Sequence, residues 1–138
     1  MATLKLEIVT PDKKVFSEPV DIVFIPGVDG ELGVLPNHIP LMTMIKPGEL
    51  RVSAGGQQTF LAVGEGFVEI TGDSVTVLTD MAIEEQSIDE SAAEEAVSRA
   101  QEALKHTQDL NDEEVASVQA SLQKSLAQLR VRRRQHPK

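Results

Sequence analysis

Residues 24–48 read FIPGVDGELGVLPNHIPLMTMIKPG, and the fold turns on them. Gly27, Gly30, Gly33 and Gly48 share the stretch with Pro26, Pro36, Pro40 and Pro47. Between these breakers lie short apolar runs: Leu32, Val34 and Leu35, then Ile39, Leu41, Met42, Met44 and Ile45. Glycine permits positive φ in tight turns, and proline fixes φ and removes a backbone donor. The stretch predicts turns linking very short strands, with little room for a helix.

The same grammar extends outward on both sides. Residues 3–10 (TLKLEIVT) alternate, with Leu4, Leu6 and Ile8 on one face and Lys5 and Glu7 on the other, as in a half-buried strand. Pro11 to Lys14 turns; Val15-Phe16 and Val20 to Ile25 are further strands. Glu49 to Ser53 alternates again. Ala54-Gly55-Gly56-Gln57 signals a hairpin whose return strand is Gln58 to Val63. Phe67 to Ile70 and Ser74 to Thr79 follow, and the last of these is expected to close the series. Short strands at close spacing predict an antiparallel sandwich or barrel.

After Gln86 the pattern changes. Residues 87–138 contain no Gly, and Pro137 is their one Pro. Ser87-Ile88-Asp89-Glu90 reads as a capping box with Ser87 at the cap. Ala92, Ala93, Ala96, Val97, Ala100, Ala103 and Leu104 then fall at helical spacing. His106 to Asp109 breaks the pattern. A second start follows, with Leu110 stapling to Val115, Asn111 as cap and Glu114 three residues later. Val115, Val118, Leu122, Leu126 and Leu129 form its stripe. The fold class read from these patterns is α+β: an N-terminal antiparallel β-sandwich (residues 1–86) followed by a C-terminal antiparallel two-helix hairpin (residues 87–138). Burial contributes ~0.8 kcal/mol per CH₂, so an alanine stripe gains little from any one neighbour. Two readings stay open, a hairpin that docks and leaves or a permanently docked helical layer.

Charge is divided along the chain. Residues 1–86 carry a net −8, residues 87–114 a net −7, and residues 115–138 a net +6 with no acid among them. One or two bases near a helix C-terminus would complement its dipole. The cluster Arg130, Arg132, Arg133 and Arg134 instead suits an acidic protein surface, because Arg forms bidentate pairs with carboxylates.

Several function classes lose support. The chain of 138 residues has no Cys, Trp or Tyr, which removes thiol chemistry, cysteine zinc sites and most base-stacking surfaces. A net charge of −9 repels nucleic acid and anionic lipid. GVDGELG lacks the Lys-Ser/Thr of a P-loop and the spacing of a dinucleotide fingerprint. Asp29 and Glu31 do not follow a calcium-loop series. His38, His106 and His136 are too scattered for a metal cluster, and His38 reads as a turn histidine first and a contact residue second. No carboxylate pair is singled out for acid–base work. No metal and no cofactor is expected. A small hydrolase and a nucleic-acid module fit poorly; a structural or regulatory interaction protein fits every feature.

GELGVLPNHIPL (30–41) and IKPGEL (45–50) resemble the ε subunit of the F-type ATP synthase, with the mitochondrial δ counterpart similar, and the resemblance covers nearly the whole chain. It implies a non-catalytic central-stalk subunit that joins the γ shaft to the ring of membrane c subunits. It further implies that Asp29, Gly30 and Glu31 face the c-ring loops, and that His38, Ile39, Leu41, Met42 and Met44 face γ. Strand alternation leaves open that one of the two methionines points inward. The hairpin resembles a brake on ATP hydrolysis, with Arg130, Arg132, Arg133 and Arg134 meeting acidic residues of the catalytic β subunits.

Some subunits of this family bind ATP through Ile/Leu-Asp-x-x-Arg-Ala at the first helix. Here the matching run is Ile88-Asp89-Glu90-Ser91-Ala92-Ala93, with Ala92 in place of the Arg. Weak or absent ATP binding is expected; the runner-up is a weak site using Asp89, Arg99 and Lys124. MATLKLEIVTPDKK shows neither a signal core nor a transit pattern, which points to a bacterial or plastid-encoded form. No apolar run approaches the ~20 residues of a membrane span. The expected location is peripheral, on the cytoplasmic or stromal face of a plasma or thylakoid membrane, reached only through the complex.

Overall fold

The computed structural model describes residues 2–134; His136 and Pro137 lie outside them. Ten strands come first: β1 (Leu4–Val9), β2 (Lys14–Val20), β3 (Ile22–Gly27), β4 (Gly30–Val34), β5 (His38–Ile45), β6 (Gly48–Ala54), β7 (Gln57–Val63), β8 (Gly66–Gly72), β9 (Ser74–Thr79) and β10 (Ala82–Glu84). Two helices follow, α1 (Glu90–Leu104) and α2 (Asp112–Arg133).

The strands hydrogen-bond in the order β10-β7-β6-β3-β5-β8-β9-β1-β2, with β4 paired to β3. The β3–β5 link is one residue pair, Gly27 with Ile45, so the sheet folds there into two layers. Inward side chains of both layers meet in one core, among them Leu4, Leu6 and Ile8 from β1, Val23 and Ile25 from β3, and Leu50 and Val52 from β6. Leu61 and Val63 from β7, Val68 and Ile70 from β8, and Val75 and Val77 from β9 complete its centre. Each set sits two residues apart, as strand geometry demands.

Four details differ from the expectations. The series does not close at Thr79, because β10 pairs with β7 and shields its edge. The pairing is not wholly antiparallel: β1 runs parallel to β9, with Leu6 beside Val75 and Ile8 beside Val77. Alternation reports burial phase and carries no strand direction, so sequence could not tell. The strands between the breakers are not all very short either. β5 spans eight residues despite Pro40, and its register shifts between His38 and Leu41, where the proline sits. Lastly, Asp89 and not Ser87 caps α1, accepting from the Ala92 N–H at 3.0 Å. The 3-10 turn Glu85–Ser87 shifts the helix start by two residues.

The second cap matches its reading. Asn111 Oδ1 accepts from Glu114 N–H, and Glu114 Oε1 accepts from Asn111 N–H. The two helices pack through Ala93 and Val97 against Leu122, Leu126 and Leu129. The sandwich contact is carried by α2, which lies over β6 and β7. Phe60 and Ala62 point outward from β7 toward Val131 and Ile88, while Leu61 and Val63 point into the core. β7 is thus buried on both faces.

Two glycines set contrasting limits. The β6–β7 turn places Gly55 at φ +60° and Gly56 at φ +81°, the left-handed pair that a two-residue hairpin requires. A Cβ on Gly55 would meet nothing within 4 Å, whereas one on Gly66 would lie 1.8 Å from the Leu78 carbonyl oxygen. Urea denaturation is expected to show a loss of ~1–2 kcal/mol for Gly55→Ala, from the left-handed backbone alone. Gly66→Ala should lose more than ~3 kcal/mol, because β8 and β9 must separate.

Candidate functional site

The outer face of the β5–β8–β9 layer carries an exposed apolar row at one end, beside a polar stretch where Met42 pairs with exposed Glu69 and Glu69 with Thr76. Met44 pairs with Phe67, Phe67 with Leu78, and Leu78 with Val9 across four strands. Met44, Phe67 and Leu78 are 52%, 50% and 51% exposed. Ile39, Leu41, Met42 and Leu35 are also exposed, whereas Ile45 is buried. Met42 and Met44 both face solvent, which removes the option of one pointing inward: residues two apart in a strand share a face. A contiguous exposed apolar row of this kind marks an interaction surface. His38 begins β5 half-buried, and its Nδ1 lies 2.7 Å from Ile39 O. Because a carbonyl only accepts, Nδ1 carries the proton there.

The sequence reading missed Val28, Leu35, Phe67 and Leu78. For two of them a signal was present. Val68 and Ile70 fix the inward phase of β8, which throws Phe67 outward. Val75 and Val77 do the same for Leu78 on β9.

Val28 and Asp29 form the β3–β4 turn, and Gly30 and Glu31 open β4; all four are exposed, with Gly30 at φ +130°. Among the described residues neither the Asp29 nor the Glu31 carboxylate makes a hydrogen bond or ion pair. Val28 N–H donates to Met44 O at 3.1 Å, and Lys46 N–H donates to Pro26 O at 2.9 Å. These bonds tie the acidic turn to the end of the apolar row. The acidic turn thus adjoins the Met44 end of β5.

The basic end of α2 lies elsewhere, at the edge of β6 and β7. Arg133 Nε donates to Glu90 Oε1 at 2.7 Å, and its Nη2 reaches Glu94. Hydrogen bonding to Glu90 and then Glu94 raises the Arg133 pKa further, so the group stays charged. Arg134 Nη1 pairs with Glu49 of β6. Arg132 lines a cavity of about 420 Å³ with Glu18 and Glu84, and Arg130 is exposed. The arginine run therefore does not project freely as one patch; two of its members are engaged by the chain's own acids.

The residues considered for nucleotide are only partly brought together. Arg99 and Lys124 line one groove of about 570 Å³ between α1 and α2, with Asp80, Ser121 and Gln128. Lys124 Nζ contacts Asp80 Oδ2 at 3.4 Å, and Gln128 Nε2 donates to Met81 Sδ at 3.1 Å. A Cβ on Gly64 would lie 2.0 Å from Asp80 Oδ1, so the glycine makes room for this contact. Asp89 does not line this groove; its carboxylate is spent on the α1 cap. Among the described residues no three His, Cys, Asp or Glu side chains converge to hold a metal. None of the described helices is long and apolar enough to cross a membrane.

A family profile described as "ATP synthase, Delta/Epsilon chain, beta-sandwich domain" matches residues 3–85. A second, described as "ATP synthase, Delta/Epsilon chain, long alpha-helix domain", matches residues 86–132. The chain belongs to the ATP synthase delta/epsilon family. An ATP synthase epsilon chain of Dehalococcoides mccartyi (strain CBDB1) is 43% identical over 141 residues, covering 99% of each chain. One from Syntrophobacter fumaroxidans (strain DSM 10017 / MPOB) is 46% identical over 128 residues, 93% of this chain and 94% of that one. Among solved structures, the Euglena gracilis mitochondrial ATP synthase, captured as an OSCP/F1/c-ring assembly, contains a chain similar in fold. Its TM-score is 0.76 at 23% identity, covering 92% of this chain and 79% of that chain.

The exposed row makes a clean prediction about folding. Met44→Asp and Phe67→Asp should each shift urea stability by no more than ~1 kcal/mol, the scale of a cross-strand surface pair. Ile45→Asp, one position along β5 but fully inward, should abolish the native circular dichroism signal.

Proposed function

We propose that the chain acts as a non-catalytic central-stalk subunit of a rotary ATP synthase, coupling the γ shaft to the c-ring. The single observation that carries this is the surface joining an uncovered apolar row to an acidic turn through the Val28–Met44 backbone bond. Exposed apolar side chains suit a packed contact with γ, through His38, Ile39, Leu41, Met42 and Met44, with Glu69 beside Met42. Phe67 and Leu78 extend that contact. Free carboxylates at Asp29 and Glu31, with Gly30 between them, suit polar loops of a ring. The membrane is approached through the complex, at the cytoplasmic or stromal face of a plasma or thylakoid membrane.

The layout supports a division into a β-sandwich of residues 1–86 and a hairpin of residues 87–138. The hairpin serves as a brake on ATP hydrolysis when extended along γ, its Arg130, Arg132, Arg133 and Arg134 meeting acidic residues of the catalytic β subunits. What supports a detachable hairpin is its thin attachment: α1 packs on α2, and the hairpin docks through one small apolar cluster around Val131 with three polar contacts about it. Among the described residues the buried members of the main core run from Leu4 to Val77, with Ala82 packed against them.

A fragment ending at Gln86 is therefore expected to fold, bind γ and restore coupling without inhibition; an unfolded or fully inhibitory fragment would sink the reading. In the full chain, Met44→Asp should weaken γ binding by ~2 kcal/mol or more, the scale of an interface hot spot. Replacing Arg132, Arg133 and Arg134 together by Ala should relieve inhibition with γ binding intact, and high salt should act the same way.

Nucleotide control of the hairpin is not part of this function. Ala92 supplies no phosphate fork, Asp89 is committed to a cap, and Glu90, Glu94 and Glu95 add negative charge nearby. Calorimetric titration of ATP into the isolated protein should give no micromolar binding. A micromolar constant lost in Arg99→Ala and Lys124→Ala would establish the weak site instead.

A further inference from the structure

The arginine run contains its own anchor. Val131, between Arg130 and Arg132, is fully buried against Phe60, Ala62 and Ile88. Beside it, Arg134 pairs with Glu49 across 85 positions of sequence. Glu49 differs from the other acceptors of the run. Its side chain is 11% exposed, against 42% and 53% for Glu90 and Glu94. Its Oε2 is closed to solvent and makes no hydrogen bond among the described residues. Arg51, two residues along the same strand, lies over the Phe24 ring at 4.2 Å. Arg134 is the cation paired with Glu49 among the described residues.

A carboxylate out of water is strongly unfavourable unless a cation meets it, and breaking such a pair from one side leaves the charge stranded. The two partners are unequal in this respect. Arg134 is 47% exposed and rehydrates easily, whereas Glu49, on the strand that α2 lies over, is 11% exposed in the docked pose. We propose that Glu49 makes the docked pose of the hairpin conditional on Arg134. While the pair is made, docking is tolerated. Once Arg134 is drawn to an acidic group elsewhere, the stranded carboxylate drives α2 off the sandwich, carrying Val131 and the rest of the run with it. Glu49 thus turns loss of one ion pair into release of the whole basic end. The role for that release rests on the brake described above, but the coupling itself belongs to the isolated chain.

The test is a double-mutant cycle on the full-length protein. The chain has no Cys, so Gln57→Cys and Ser98→Cys, both exposed, accept a pair of spin labels that report the docked fraction. Arg134→Ala should raise the undocked population about tenfold or more, as stranding a buried charge implies. Glu49→Gln should change it little. The double variant should resemble Glu49→Gln, because no charge is left to strand, and Arg134→Lys should stay docked. An unchanged docked fraction in Arg134→Ala, or an Arg134→Ala effect of equal size in the Glu49→Gln background, would overturn the proposal. ATPase assays of the complex separate the two ideas: a cycle that behaves as expected with hydrolysis unaffected by undocking would leave Glu49 its role and remove the brake.

Discussion

Two layers of sheet joined by hydrogen bonds at a single residue pair must be held together by something else, and here it is burial. The core residues stand at 0–2% exposure from Leu4 to Val77. At roughly 25 cal/mol per Å² of apolar surface removed from water, that interior outweighs any ion pair in the chain. The consequence reaches the surface. Once Val68, Ile70, Val75 and Val77 must point inward, Phe67 and Leu78 must point outward, and the apolar row on the opposite side of those strands follows. The exposed row is the geometric complement of the core.

Much of this was legible because strands and helices write different periods. The alternation of residues 3–10, the Gly55-Gly56 turn and the Asn111–Glu114 box each carry a local rule, and each appears where that rule puts it. What was hidden is non-local. The parallel β1–β9 pairing leaves no mark on either strand. Phe60 to Val63 reads as a strand, but that both its faces are covered depends on α2, some seventy residues away. The Arg cluster was legible as a composition, but its partners were not: Glu49 sits on a strand, Glu90 and Glu94 on another helix. Asp89 matched one position of a nucleotide motif in the sequence, and a nearer demand, the Ala92 N–H that the helix start leaves open, claims it.

The hairpin and the sandwich obey different economies of contact. Within the hairpin, Ala93 and Val97 let α1 approach the leucines of α2 closely. Against the sandwich, α2 offers Val131, and β7 receives it with Ala62, a residue small enough to let the helix down onto the strand. Polar contacts surround this point: Asp80 with Lys124, Met81 with Gln128, Glu49 with Arg134. The more open Asp80–Lys124 pair contributes ~0–1 kcal/mol, so the docked pose is weighted by few terms. That is the condition under which a small change at one of them moves a whole element.

The parallel pairing of β1 with β9 also bears on how the chain assembles. Leu6 and Ile8 find their edge partners only when Val75 and Val77 have been made, so the first strand of the chain waits for nearly the last strand of the sandwich. Such a closure joins ends far apart in sequence, and loop entropy must be met before the pairing returns any stabilisation. The β6–β7 turn and the helical hairpin, by contrast, form from neighbours. A growing chain can therefore hold finished local pieces while its interior is still open along β1. Shutting that edge is the longest-range strand pairing of the sandwich, and it sets how far apart in sequence the last pieces to meet must lie.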